Sequence, residues 1–476
     1  MLEYEYNAST HGPACLQLST YASEVSEDCL TLDIYRPSGV SGPMPVLFWI
    51  YGGGFYQGST SQYNMTNLVE QSVERGTPVM VVASNYRVGP LGFPQGNEAQ
   101  DDGVLNLGIL DAKVALEWAQ ENIDAFGGDD SKVTAFGLSA GSIIISILML
   151  DPDFSSLAWA AILESGWAAT LPLKYPTDNE AAWRSFVRGI PECASTIDNS
   201  TTLDCLRGLD NSNALLANIN PQDAYGASLF PFGPVIDGPG GVVTDLPSTL
   251  YAQGSYTLLP TISGNVLDEG TLFVPNPNAN LTTDTIVDVF IKNFSTPLID
   301  AEVFSSSISK VVSLYPEDPS VGSPYGTGNE TFGLHPGYKR IASLVGDINF
   351  DALRRGWAQM SASAGVPTYN LIFSQRQRGF PPALGVPHGS NYAFQFGTEE
   401  PADPDLATAI MEYWLSFATS LDPNDGLGTE RPNWPVYDAD NEVLLRLQDD
   451  NITTIPDDYR KEQIDFVLEN PLVFHH

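Results

Sequence analysis

Phe136-Gly137-Leu138-Ser139-Ala140-Gly141-Ser142 is the stretch that decides how the rest of this 476-residue chain is read. Before it, Val133 to Phe136 is short, β-branched and aromatic, as a buried strand is. After it, Ile143 to Leu150 is too apolar to face water, as a core helix is. A G-x-S-x-G sequence between two such segments forces a sharp strand-to-helix turn. Glycine on both sides of Ser139 lets backbone approach backbone, which leaves the hydroxyl exposed above the start of the helix. The stretch reads as a nucleophile elbow, and a nucleophilic serine needs a base and an orienting acid from elsewhere in the chain.

Upstream, Val46 to Tyr51 is a continuous apolar run suited to a strand buried on both faces. It ends in Gly52-Gly53-Gly54-Phe55, whose uncovered backbone N–H groups suit an anion or an oxyanion. Leu30 to Tyr35 alternates like a half-exposed strand, and Val79 to Ser84 is another buried one. Leu107, Leu110, Val114 and Trp118 fall at helical spacing, and Gly127-Gly128 closes that helix. This alternation predicts an α/β fold with a mostly parallel sheet and right-handed crossovers. Downstream, Ala161 to Ser165, Thr261 to Asn265 and Thr368 to Phe373 are further strands, and residues 170–255 lean helical. Leu406, Ile410, Tyr413, Phe417 and Leu421 mark an amphipathic helix, with another over Tyr459 to Leu468. Residues 311–336, rich in Pro, Gly and Ser, predict a surface excursion. No linker or repeat divides the chain, so residues 1–476 are read as one domain.

The base is narrowed by scarcity, because the chain has five histidines. His11 precedes the serine and His475 and His476 end the chain, which leaves His335 and His388. His388 lies in the glycine-flanked Gly385-Val386-Pro387-His388-Gly389-Ser390, where a ring can hang over the end of a sheet. His335 precedes a proline in the surface excursion and is read as solvated. The acid is less determined: Glu269 follows a buried strand and precedes glycine, the address of a site residue at the carboxyl edge of a sheet, and its neighbour Asp268 is nearly as good.

Composition excludes other classes. The balance of 58 acidic against 21 basic residues gives a net charge of −37, which repels nucleic acid and anionic membranes. No apolar run reaches the ~18 residues that span a bilayer, so no stable membrane anchor is expected. Four cysteines are too few for a disulfide scaffold, and proximity pairs Cys15 with Cys29 and Cys193 with Cys205. Sequons at Asn7, Asn64, Asn199, Asn280, Asn293, Asn329 and Asn451, with the even cysteine count and acidic surface, point to the secretory pathway. Met1-Leu2-Glu3-Tyr4-Glu5 has neither the basic start nor the apolar core of a signal peptide, so the expectation is an extracellular protein whose leader is not in this chain.

The segments Ser26-Glu27-Asp28-Cys29-Leu30, Trp49 to Phe55, Asn85-Tyr86-Arg87, Phe126-Gly127-Gly128-Asp129, Phe136 to Gly141, Asp268-Glu269-Gly270 and His388-Gly389 resemble, in order, the type-B carboxylesterase family of the α/β-hydrolase superfamily. That family includes cholinesterases and fungal lipases of the Candida rugosa kind. The resemblance implies an α/β-hydrolase fold with Ser139 as nucleophile, Glu269 as acid and His388 as base. It also implies an oxyanion hole from the N–H groups of Gly53, Gly54 and Ala140, and the same two disulfides. It calls for no metal and no cofactor, and for a small-molecule ester as substrate.

Three departures from the family bear on substrate and fold. The small N-terminal sheet of the family looks missing. The Cys15–Cys29 loop is much shorter than the lid of the lipases and cannot cover a long acyl tunnel. Leu138 stands where cholinesterases carry a glutamate, and the Cys15–Cys29 loop has no tryptophan, so a choline cation finds no partner. Phe230 and Phe232, ahead of Gly233-Pro234-Val235-Ile236-Asp237-Gly238, line either an acyl pocket or plain core. The sequence thus predicts a secreted carboxylic-ester hydrolase of short to medium acyl or aromatic esters. The alternatives are a lipase or sterol esterase for long chains and, in another class, a non-catalytic binding module.

Overall fold

A computed structural model describes residues 8–18, 24–209, 215, 231–294, 296–398, 404–449 and 451–476. Two short parallel strands, β1 (Ala14–Cys15) and β2 (Val25–Ser26), lie beside the Cys15–Cys29 disulfide. The other nine strands form one sheet: β3 (Leu32–Tyr35), β4 (Met44–Ile50), β5 (Met80–Ser84), β6 (Gly128–Leu138), β7 (Ala160–Glu164), β8 (Thr261–Val266), β9 (Thr368–Phe373), β10 (Val443–Leu447) and β11 (Thr453–Pro456). Their order is β3-β5-β4-β6-β7-β8-β9-β10-β11.

Pairing is parallel from β5 to β10 and antiparallel only at the two edges, β3 on β5 and β10 on β11. The sequence dictates this division. Every residue of β5, β7, β8 and β9 is buried, as both faces of a sheet covered by helices require, whereas β3 and β11 are half-exposed. Polar side chains inside the sheet find one another: Thr261 Oγ1 lies 2.9 Å from Thr368 Oγ1, and Ser263 Oγ donates to Asn370 Oδ1 at 2.9 Å.

A main apolar core forms on both faces of the sheet. A second cluster, with Ile286, Phe290, Phe304, Ile341 and Ile464 among its members, gathers the segments between β8 and β9 and the end of the chain. A buried ion cluster closes this region. Asp457 accepts from both Arg354 and Arg355, and Arg460 donates to Asp347 and Asp351.

Among the described residues the predicted strands are present, the helix-leaning stretch 170–255 falls in part outside those residues, and the differences elsewhere are instructive. The helix marked by Leu107, Leu110, Val114 and Trp118 is present as Leu107–Asn122, but Leu110 and Val114 are 38% and 60% exposed. Its buried face is Gly108, Ile109, Ala112, Leu116 and Ala119, and the helix runs close to the chain beneath it at Gly108, where a Cβ would lie 2.4 Å from the Arg87 carbonyl oxygen. The predicted helix through Leu421 ends at Ser420, and Leu421 takes a positive φ of 63°. The excursion at 311–336 is not all surface: Ser323 is buried and donates to Asp268 at 2.8 Å.

Candidate active site

β6 ends at Leu138 and the helix Ala140–Leu148 begins one residue later, so Ser139 alone makes the turn, at φ 55° and ψ −125°. That conformation is strained for any residue with a Cβ. Tight packing enforces it: a Cβ on Gly141 would lie 1.9 Å from the Ile50 carbonyl oxygen, and one on Gly52 2.7 Å from that of Leu138. The Ser139 N–H donates to the Glu164 carbonyl at 2.8 Å, which holds the turn against β7.

His388 comes from the loop after β9. Its Nε2 lies 2.8 Å from Ser139 Oγ and its Nδ1 2.6 Å from Glu269 Oε2. The carboxylate accepts, so the ring proton belongs on Nδ1 and Nε2 is left to accept from the serine hydroxyl. Glu269 is fully enclosed at its side chain, and its Oε1 accepts from the Val266 N–H at 2.9 Å. Phe273 and Phe350 flank the imidazole with ring centroids 4.9 and 5.1 Å away. A base held this way can take the serine proton with no rearrangement.

Asp268, the rival acid, points elsewhere. It accepts from Val386 N, Tyr325 N and Ser323 Oγ, and so ties the loop carrying His388 to the end of β8. His335 is half-buried, not solvated, because its Nδ1 accepts from the Gly337 N–H at the start of a helix.

At the end of β4, Gly53 and Gly54 take φ of 128° and 63°. Tyr86 braces this turn by donating its hydroxyl to the Tyr51 carbonyl and stacking on the Tyr51 ring. Gly53, Gly54 and Ala140 border the same cavity as Ser139. As the first residue of its helix, Ala140 has an N–H with no partner inside the helix. The cavity measures about 350 Å³, and its walls include Leu138, Leu171, Phe273, Val289, Phe290 and Phe350.

Other candidates are placed as follows. Leu138 borders the cavity. Phe232 does not: its ring is buried against Phe186 at 6.1 Å, and the cavity wall at this point is Gly233 and Pro234. Phe230 and Asn7 lie outside the described residues, as does the tip of the Cys15–Cys29 loop. Gln17, at the base of that loop, is bonded in both directions to the backbone of Gly58. Cys15 is bonded to Cys29 and Cys193 to Cys205. Asn64, Asn199, Asn280, Asn329 and Asn451 are exposed, whereas Asn293 is half-buried and borders the cavity. Among the described residues no group of three or more His, Cys, Asp or Glu side chains could hold a metal ion.

One buried acid escaped the motif reading. Glu164, at the end of β7, is fully buried, and its carboxylate receives one hydrogen bond from the described residues, from Asn391 Nδ2 at 3.0 Å. Burial, and then the charge of Glu269, push its carboxyl up to about 8, against the pull of the Asn391 amide. An acid directly after Ala160-Ala161-Ile162-Leu163 in a buried strand was its signal.

The model of the carboxylesterase family matches residues 2–467. The chain is 35% identical over 459 residues to a secreted triacylglycerol lipase of Gibberella zeae, covering 93% of this chain and 75% of that one. It is 31% identical over 508 residues to lipase 2 of Diutina rugosa, covering 98% and 87%. Among solved structures, Aspergillus niger EstA superposes with a TM-score of 0.82 at 24% identity, over 98% of this chain and 89% of that one, which shows a shared fold.

Proposed function

The chain belongs to the carboxylesterase family and is a carboxylic-ester hydrolase, and on that premise we propose that Ser139, His388 and Glu269 are its catalytic triad, working through an acyl-enzyme. Ser139 Oγ attacks the ester carbonyl carbon as His388 Nε2 takes its proton, and Glu269 stabilises the imidazolium that forms. The N–H groups of Gly53, Gly54 and Ala140 receive the tetrahedral oxyanion; one such donor contributes ~3 kcal/mol to the transition state. His388 returns the proton to the leaving alcohol, and water repeats the sequence to release the acid. The observation that carries the reading is the unbroken run of contacts from Ser139 Oγ through the imidazole to Glu269, 2.8 and 2.6 Å long. The cavity takes walls from residue 52 to residue 389, which supports treating the chain as one catalytic unit.

The substrates are esters with short to medium acyl or aromatic parts. A cavity of about 350 Å³ is at the small end of ligand pockets, and the disulfide loop encloses few residues. A second reading, hydrolysis of long-chain lipids, is favoured by the names of the relatives, several of which are lipases. A p-nitrophenyl ester series from acetate to palmitate, run on the protein and on Ser139→Ala, separates the two. The first reading expects Ser139-dependent turnover that peaks at short chains, and a peak at long chains would replace it with the second. Secretion fits the same reading: three of the relatives are named secreted, five sequons are exposed, and no helix among the described residues is long and apolar enough to cross a membrane.

A further inference from the structure

Among the described residues, those bordering the cavity include no aspartate or glutamate, and one side chain with a fixed positive charge, Lys174. This is notable in a chain that carries 58 acids against 21 bases. The backbone beneath Lys174 is held on both sides. Its own carbonyl accepts from the Ile236 N–H at 2.9 Å, and the carbonyl of Leu173 faces His475 Nδ1 at 3.0 Å. Lys174 is half-buried, and its ammonium has neither a hydrogen bond nor an ion pair with any described residue.

The acid whose charge acts on it, Asp178, is already engaged, accepting from Tyr175 N at 3.1 Å and Thr296 Oγ1 at 2.6 Å. Those bonds bring the segment after the helix Thr283–Asn293 against the Lys174 turn. Asn179 and Asn293 also border the cavity, and the Asn179 amide donates to Gln95 Oε1 at 3.2 Å. Burial draws the lysine below its ordinary pKa, with Asp178 opposing. A surface lysine extends its ammonium into water and shows no such desolvation. A desolvated cation without a partner is costly, and a bound anion removes that cost. The field of a −37 protein repels anions, so an anionic substrate is retained only where a local cation receives it.

We propose that Lys174 is a specificity residue that binds a carboxylate or other anionic oxygen on the substrate, remote from the ester carbonyl, so that esters bearing a negative charge, such as half-esters of dicarboxylic acids, are preferred. The proposal rests on the ester-hydrolase site described above. A neutral triacylglycerol leaves the lysine without a partner; a half-ester supplies one.

The test is a ratio measured within each protein, so that any loss of folded material cancels. kcat/KM for the p-nitrophenyl half-ester of adipic acid is divided by kcat/KM for p-nitrophenyl hexanoate, which has the same chain length. A second pair, 4-carboxyphenyl butyrate against phenyl butyrate, places the charge on the alcohol part. The ratios are taken for the wild type, Lys174→Met, Lys174→Glu and Lys174→Arg. In the pair whose charge reaches the lysine, Lys174→Met lowers the ratio ~10-fold or more, the worth of one charge-assisted hydrogen bond. Lys174→Glu lowers it further and Lys174→Arg retains it. Ratios equal across all four proteins in both pairs would overturn the proposal.

If no ester is turned over in a Ser139-dependent way, it is the triad reading that fails. Calorimetric binding of monomethyl adipate against methyl hexanoate to Ser139→Ala then decides the lysine alone. Preferential binding of the anion, lost in Ser139→Ala/Lys174→Met, supports it, and equal binding contradicts it.

Discussion

Replacing Glu164 by Gln should stabilise the protein, and by an amount that grows with pH. Glu164 and Glu269 are both buried, but their partners differ. Glu269 has the Val266 N–H and the His388 ring, whereas Glu164 has only the Asn391 amide, and its Oε1 has no partner. Its carboxyl is therefore pushed from an ordinary 4.5 up to about 8, first by burial and then by the charge of Glu269. For an acid raised in this way the folded state binds the extra proton, so between pH 4.5 and about 8 stability falls as pH rises, by about 1.4 kcal/mol per unit. At pH 7 the cost is on the order of 3 kcal/mol. Glutamine keeps the shape and the acceptor for Asn391 Nδ2, turns its amide to the unpartnered Asn391 Oδ1, and does not titrate. Urea unfolding at pH 5, 6, 7 and 8, followed by tryptophan fluorescence, should give a glutamine-minus-glutamate difference that rises with pH and levels off above about 8. A difference that stays constant across this range would refute the reasoning.

Further substitutions probe the frame around the serine and the packing away from it. Glu269→Gln should lower kcat ~10³- to 10⁴-fold with KM little changed, because the ring loses the carboxylate that fixes its tautomer, as steady-state kinetics on a short p-nitrophenyl ester will show. Gly141→Ala puts a Cβ 1.9 Å from the Ile50 carbonyl and should cost more than the ~1–3 kcal/mol of ordinary overpacking, read as a large fall in thermal midpoint, while Gly208→Ala, with 3.4 Å of clearance, shifts it little. Asp457→Asn leaves Arg354 and Arg355 buried without their anion and should destabilise by about 3–5 kcal/mol in denaturant titrations at neutral pH.

What could be read from the chain was what is local or ordered along it. The elbow announces itself because a strand, two glycines and a helix must meet within a few residues, and β4 does because a strand covered on both faces is a nearly continuous apolar run. His388 follows from scarcity, and Glu269 from its place after β8. The choice between Glu269 and Asp268 was not legible in the residues themselves, since both stand at the strand end and only the turn decides which carboxylate faces the imidazole. The face of the helix Leu107–Asn122 was misleading because apolar residues stand on more than one side of it: Ile109 and Leu116 are buried, while Leu110 and Val114, equally apolar, are left outside. Glu164 and Lys174 carry no motif. The environment of Glu164 is made by Asn391, 227 residues further along, and that of Lys174 by segments around 236, 296 and 475.

The most direct test of the account is covalent. Incubation with diethyl p-nitrophenyl phosphate, followed by peptide mass analysis, should place one diethylphosphoryl group per chain on Ser139, and His388→Ala should slow that labelling by ~10²-fold or more, since the base that activates the serine is gone. A folded protein that takes up no label at Ser139, or that labels equally fast without His388, would contradict the triad.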